Sequence, residues 1–129
     1  MNIRGFDHLV LRVDDLDSAL SFYSDTLGLE PLRVDEFRKG DAPFPSVRIS
    51  EDVLIDLVPK ARAPGSNNVD HFCLVVEGDL DGLASELQAK GVEVSDEAGR
   101  RWGAHGWGNS IYVLDPEGNT IELKSYATG

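Results

Sequence analysis

Two histidines and two carboxylates recur at matching places along this chain, and their side chains suit a divalent metal ion. Asp7-His8-Leu9 returns 63 residues later as Asp70-His71-Phe72, and Ile55-Asp56-Leu57 returns 66 residues later as Ile121-Glu122-Leu123. Imidazole nitrogen beside carboxylate oxygen is a hard-to-borderline donor set, fit for Fe²⁺, Mn²⁺, Ni²⁺, Co²⁺ or Zn²⁺. Taken singly, a strand histidine is usually a packed or exposed residue, and a strand carboxylate usually faces water. That ordinary reading of all four requires the symmetry to be accidental. The expected ligands are therefore His8, His71 and Glu122, with Asp56 as a fourth that reaches the metal directly or through water.

The elements that must position these side chains repeat as well. Leu11 and Val13 match Leu74 and Val76, Asp15-Leu16-Asp17 matches Asp79-Leu80-Asp81, and Gly28-Leu29-Glu30 matches Gly91-Val92-Glu93. Such ordered self-similarity marks an internal duplication. Residues 6–13 and 70–76 are β-branched and apolar runs of strand length. Helices are predicted over 17–27 and 80–90, capped by Asp15 or Asp17 and by Asp79 or Asp81, and ended at Gly28 and Gly91. Short strands follow near 29–34, 46–50 and 53–58, then near 92–95, 110–114 and 119–125. Asp115-Pro116-Glu117-Gly118-Asn119 reads as the turn of a closing hairpin. The fold class is thus α+β, two tandem βαβββ modules over about 1–60 and 70–129 in one domain, joined by a linker at 59–69.

Strand alternation fixes which side chains can meet. In 6–13, Phe6, His8, Val10 and Arg12 share one face, while Leu9, Leu11 and Val13 lie under the helix. Asp56 likewise shares a face with Leu54 and Val58, opposite Val53, Ile55 and Leu57. Arg12 lies in phase with His8, and Arg48 occupies the inward phase of a neighbouring strand, so either is a candidate to hold an anionic group. The glycine-rich tract 99–108 carries Trp102, His105 and Trp107 and suits a lid over a site. Cys73, in phase with His71, lines a cavity or is a small buried residue.

Composition narrows the class of partner. With 23 acidic against 12 basic residues the formal charge is −11, which opposes binding to nucleic acid or to anionic membranes. The start of the sequence shows no signal-peptide pattern, and no apolar run is long enough to cross a bilayer, so a cytoplasmic location is expected. A single cysteine excludes an internal disulfide and a zinc-thiolate cluster.

The sequence resembles the vicinal oxygen chelate superfamily, which groups glyoxalase I, the fosfomycin and bleomycin resistance proteins and extradiol dioxygenases. The resemblance covers essentially the whole chain, through Phe6-Asp7-His8-Leu9-Val10-Leu11, Ser21-Phe22-Tyr23-Ser24-Asp25-Thr26-Leu27-Gly28-Leu29 and Asp115-Pro116-Glu117-Gly118-Asn119-Thr120-Ile121-Glu122-Leu123. The tract from Gly103-Ala104-His105-Gly106 to Ser110-Ile111-Tyr112 looks closest to the virulence-associated glyoxalase-domain subgroup. The resemblance implies a curved, barrel-like mixed sheet with helices outside, one divalent metal per site, a small-molecule substrate with adjacent oxygens, and a homodimer. It implies a glyoxalase I-like lyase or isomerase, or a small extradiol-type dioxygenase, with Glu122 or Asp56 as base. Asp56 stands where glyoxalase I carries Glu, a departure from that pattern. The other branches imply alternatives, a metal-free drug-sequestering protein or a thiol transferase using glutathione or another thiol as co-substrate. Tyr112, which follows Ser110 in a Ser-x-Tyr resembling the fosfomycin enzymes, is expected to reach the substrate through its hydroxyl.

Overall fold

The computed structural model describes residues 1–60, 68–114 and 119–126. The chain divides into two compact units, one of residues His8–Asp70 and one of Met1–Asp7 with His71–Gly129. The elements in chain order are β1 (Asn2–Val13), α1 (Leu16–Leu20), β2 (Glu30–Leu32), α2 (Val34–Arg38), β3 (Ser46–Arg48), β4 (Leu54–Pro59), β5 (Val69–Glu77), α3 (Leu80–Ala89), β6 (Gly99–Gly103), β7 (Gly106–Leu114) and β8 (Thr120–Ser125).

In the unit His8–Asp70 the strand order is β2-β3-β4-β1, with β1 parallel to β4 and the other pairs antiparallel. Register sets Leu9 beside Ile55 and Leu11 beside Leu57. Those side chains build a core of Leu11, Val47, Ile55 and Leu57, against which Leu16, Ala19, Leu20 and Tyr23 pack from the helical segment. Burying each such side chain contributes roughly 1.5–3 kcal/mol, so the face of Leu9, Leu11 and Val13 is committed to the core. His8 and Asp56 are left on the opposite face.

The helix predicted over 17–27 forms in two pieces. Asp15 caps α1 by accepting from the Ser18 N–H at 3.1 Å and the Ser18 hydroxyl at 2.8 Å. These two donors hold its carboxyl below the usual range. From Ser21 to Thr26 the turn widens, and the Leu27 N–H reaches back to Phe22 O at 3.0 Å. Leu29 N then bonds Tyr23 O around Gly28 at φ +79°, the left-handed closure expected there. The strand expected near 29–34 stops at Leu32, because Arg33 takes φ +64° and starts the short α2, which periodicity did not announce.

The other unit has the same pattern, β5-β8-β7-β6, with β5 parallel to β8. Asp79 caps α3 through the Gly82 N–H at 3.0 Å. Its apolar side, Leu83 and Leu87, packs on Val76, Ile111, Val113 and Leu123. The strand expected at 92–95 is reduced to a single bridge, Val94 to Val113, on the edge of β7 that β6 pairs further along. Residues 99–108, expected to be a lid, are instead the β6–β7 hairpin, with Trp102 paired across to Trp107. A glycine at each end of the turn and an edge-to-face contact of the two indoles favour this pairing over an irregular loop. Met1–Asp7 group here through the Phe6–Phe72 stack at 5.9 Å and ion pairing of Arg4 with Glu77. Residues 115–118 of the expected closing turn and 61–67 of the expected linker lie outside the described residues. Among the described residues no helix is long and apolar enough to cross a membrane.

Candidate metal-binding residues

Each unit holds a histidine–carboxylate pair with a serine behind the buried carboxylate; His8 is buried and His71 partly so. In the unit His8–Asp70, His8 Nε2 stands 3.6 Å from Asp56 Oδ2, both side chains 2% exposed. Ser46 lies directly across from Asp56 in the β3–β4 register, and its hydroxyl donates to Asp56 Oδ1 at 2.6 Å. In the other unit His71 Nε2 is 3.0 Å from Glu122 Oε1, and the Ser110 hydroxyl donates to Glu122 Oε2 at 2.7 Å. Lys124, fully buried, places Nζ 3.4 Å from the same Oε2 and donates to Arg101 O at 2.8 Å.

These distances fit metal ligation. Nitrogen and oxygen donors each about 2.0–2.2 Å from one ion stand roughly 3–3.5 Å apart in ordinary geometries. His71 and Glu122 meet that spacing, and His8 with Asp56 comes near it. The serines orient the carboxylates, the kind of outer support that ligating carboxylates need. Ser46 and Ser110 are 64 residues apart, an offset between the 63 and 66 of the ligands, so the duplication itself signals the pair. Sequence reading noted Ser110 only through its Tyr112 neighbour and passed over Ser46.

Tyr112 faces the same way as Glu122, its register partner, and presents its ring edge-on to His71 at 5.7 Å. Burial, aided by the charge of Glu122, pushes its phenol up to about 12, so it is a neutral donor at physiological pH. Trp102 and Trp107 sit on the other face. Trp107, Asn109, Ile111 and Val113 share a phase, and Ile111 and Val113 belong to the core under α3. The expected substrate-binding tryptophans are thus not on the face of Glu122. Arg100 lies over the Trp107 ring at 5.0 Å instead.

The remaining candidates are engaged elsewhere. Arg12 pairs with Asp70 at 3.0 Å, and Arg48 donates to the carbonyls of Ser50 and Glu51 at 3.2 and 2.9 Å. His105 occupies the exposed β6–β7 turn, where its N–H donates to the Tyr126 hydroxyl at 3.3 Å and its ring meets Tyr126 edge-on. Cys73 is fully buried. A second polar cluster went unforeseen. Buried Asp7 accepts from the Tyr126 hydroxyl at 2.6 Å and from Ala104 N at 3.1 Å. Burial and that bond to Asp7 hold the Tyr126 phenol well above its ordinary range.

The signature of the Glyoxalase/Bleomycin resistance protein/Dioxygenase superfamily matches residues 5–123. The chain belongs to this superfamily. Among its curated relatives, virulence protein STM3117 of Salmonella typhimurium is 32% identical over 98% of this chain and 87% of that one. A protein of Synechocystis named probable lactoylglutathione lyase is 33% identical over 90% of this chain and 91% of its own length. The fold is shared with the Mn(II)-bound glyoxalase of Novosphingobium aromaticivorans, with a TM-score of 0.69 at 22% identity. That match covers 99% of this chain and 41% of the longer one. Superfamily membership accounts for the α+β class and the repeated βαβββ order, and it brings relatives named as lyases.

Proposed function

We propose that this chain is a metal-dependent lyase or isomerase of the glyoxalase type, acting on a small substrate with two adjacent oxygens. The observation that carries the reading is the duplicated His–carboxylate–Ser arrangement, with both carboxylates buried, and spaced for ligation in the second unit. Burying a carboxylate beside a histidine twice over is costly without a shared role. His8, His71 and Glu122, with Asp56 as fourth ligand, would hold one divalent metal. When bound, such an ion supplies Lewis acidity to the substrate oxygens and stabilises charge as a C–H proton leaves.

The chain's own groups do the rest. Ser110 and Lys124 engage Glu122 Oε2, which leaves Oε1 to face His71. Ser46 holds Asp56 Oδ1 in the same manner. A carboxylate so oriented serves as the base that takes the substrate proton, and Asp56 or Glu122 fills that role. The Tyr112 hydroxyl, neutral below pH 12, donates to a substrate oxygen. Pairing of Asp56 with His8 in the image of Glu122 with His71 favours a four-donor set. That supports a lyase or isomerase over a dioxygenase with three protein ligands. The setting this reading implies is a cytoplasmic homodimer with a small-molecule substrate, glutathione or another thiol serving as co-substrate in a glyoxalase reaction.

The test is metal content of protein purified without chelator and then loaded with Fe²⁺, Mn²⁺, Ni²⁺, Co²⁺ or Zn²⁺. Binding that His8→Ala and His71→Ala each reduce at least tenfold supports the reading. No uptake under any loading would favour the drug-sequestering alternative. Turnover of the methylglyoxal–glutathione adduct, of catechols and of fosfomycin with thiol then separates lyase, dioxygenase and transferase.

A further inference from the structure

One arginine that sequence reading passed over is placed for substrate recognition. In the second unit, register sets Tyr112 opposite Glu122, Ser110 opposite Lys124 and Arg101 opposite Gly108. Strand alternation then puts Arg101, Ser110, Tyr112, Glu122 and Lys124 on one face of the sheet. The Arg101 guanidinium lies 5.8 Å from the centre of the Tyr112 ring, whose edge is in turn turned to His71 at 5.7 Å. Tyr112 therefore neighbours both the guanidinium and the imidazole.

Arg101 is anchored yet has charge to spare. Its Nη1 donates to Arg100 O at 2.9 Å and its Nη2 to Glu97 O at 3.4 Å, both neutral carbonyls. A guanidinium carries five N–H donors, so these contacts fix its plane without using its capacity. Among the described residues no carboxylate forms an ion pair with it, in a chain whose formal charge is −11. Three other cations among the described residues are paired: Lys124 with Glu122 and Arg101 O, Arg4 with Glu77, and Arg12 with Asp70.

We propose that Arg101, with the Tyr112 hydroxyl, forms a carboxylate subsite beside His71 and Glu122. The substrate is then a small organic acid, with two adjacent oxygens at its reacting end and a carboxylate at the other. A guanidinium fork matches a carboxylate bidentately, and a pre-fixed fork loses little entropy on binding. This inference rests on the metal reading above.

The probes are acetohydroxamate, which chelates an open metal through two adjacent oxygens, and hydroxamates extended by one to three methylenes ending in a carboxylate or in the matching neutral amide. Their affinities for the metal-loaded protein are measured by calorimetry. At least one acid should bind about 10–100-fold tighter than its amide, the range for hydrogen bonds to a charged group. Arg101→Met and Arg101→Gln should erase that gain while metal content and melting temperature hold, and Arg101→Lys should keep part of it. The proposal is overturned if no acid outbinds its amide in the wild type, or if the gain survives in both neutral variants. Metal content of the same samples separates the causes. A protein that takes up no metal fails the underlying reading, whereas a loaded protein without carboxylate preference fails only the role of Arg101.

Discussion

Gly103 offers a sharp test of the second unit's buried cluster, because a single methyl there has nowhere to go. A Cβ at this position would stand 2.5 Å from Asp7 Oδ2, 2.8 Å from Lys124 Cε and closer still to the Tyr126 hydroxyl. Real Cβ atoms do not approach heavy atoms this closely, so Gly103→Ala must displace Tyr126 or Asp7. Overpacking of this kind costs about 1–3 kcal/mol. Loosening the bond from Tyr126 to the fully buried Asp7 carboxylate adds about 1–2 kcal/mol, since a buried charge loses a donor. The expected total is about 2–5 kcal/mol, which for a domain of this size lowers Tm by roughly 6–25 °C. Urea unfolding followed by tryptophan fluorescence measures it, with a lower midpoint at unchanged slope. Gly5→Ala is the control, because nothing lies within 4 Å of its Cβ; it should change stability by less than about 1 kcal/mol. Tyr126→Phe in the Gly103→Ala background should cost less than the sum of the two changes, since it removes one of the colliding atoms. A Gly103→Ala protein within about 0.5 kcal/mol of wild type would refute the packing described for this face.

Two further outcomes follow from the same unit. Tyr112 and Tyr126 have folded-state values above the unfolded value near 10, so below pH 10 both states are protonated and stability is indifferent to these groups. Above pH 10 the unfolded chain loses protons that the folded chain keeps, and stability should fall between pH 10 and 12; denaturant midpoints that stay flat there, or fall equally in Tyr112→Phe/Tyr126→Phe, would contradict the assignment. Asp79→Ala removes the acceptor for Gly82 N and should lower stability by about 1 kcal/mol, with Asp79→Asn within a few tenths of wild type; calorimetric melting reads both.

What sequence alone decided was what repeats and what alternates. Two offsets near 64 identified His8 with His71 and Asp56 with Glu122, and the period of two separated them from Leu9, Leu11, Ile55 and Leu57. Caps at Asp15 or Asp17 and at Asp79 or Asp81, of which the structure uses Asp15 and Asp79, and the glycine at 28 were also legible, because their hydrogen bonds and φ angles are local. Tertiary structure decided the partners. Ser46 and Ser110 became supports of the carboxylates through strand register, which no single strand records. The tract 99–108 looked like a lid because its four glycines are poor strand markers by composition; pairing of β6 with β7 made it a hairpin and sent both indoles to the face away from Glu122. Lys124, which the sequence did not single out, is fully buried, and Glu122 and the Arg101 carbonyl satisfy its ammonium. Local chemistry is written in neighbours along the chain, whereas the choice among arginines rests on contacts such as Arg12 with Asp70 and Arg101 with Tyr112 that only folding creates.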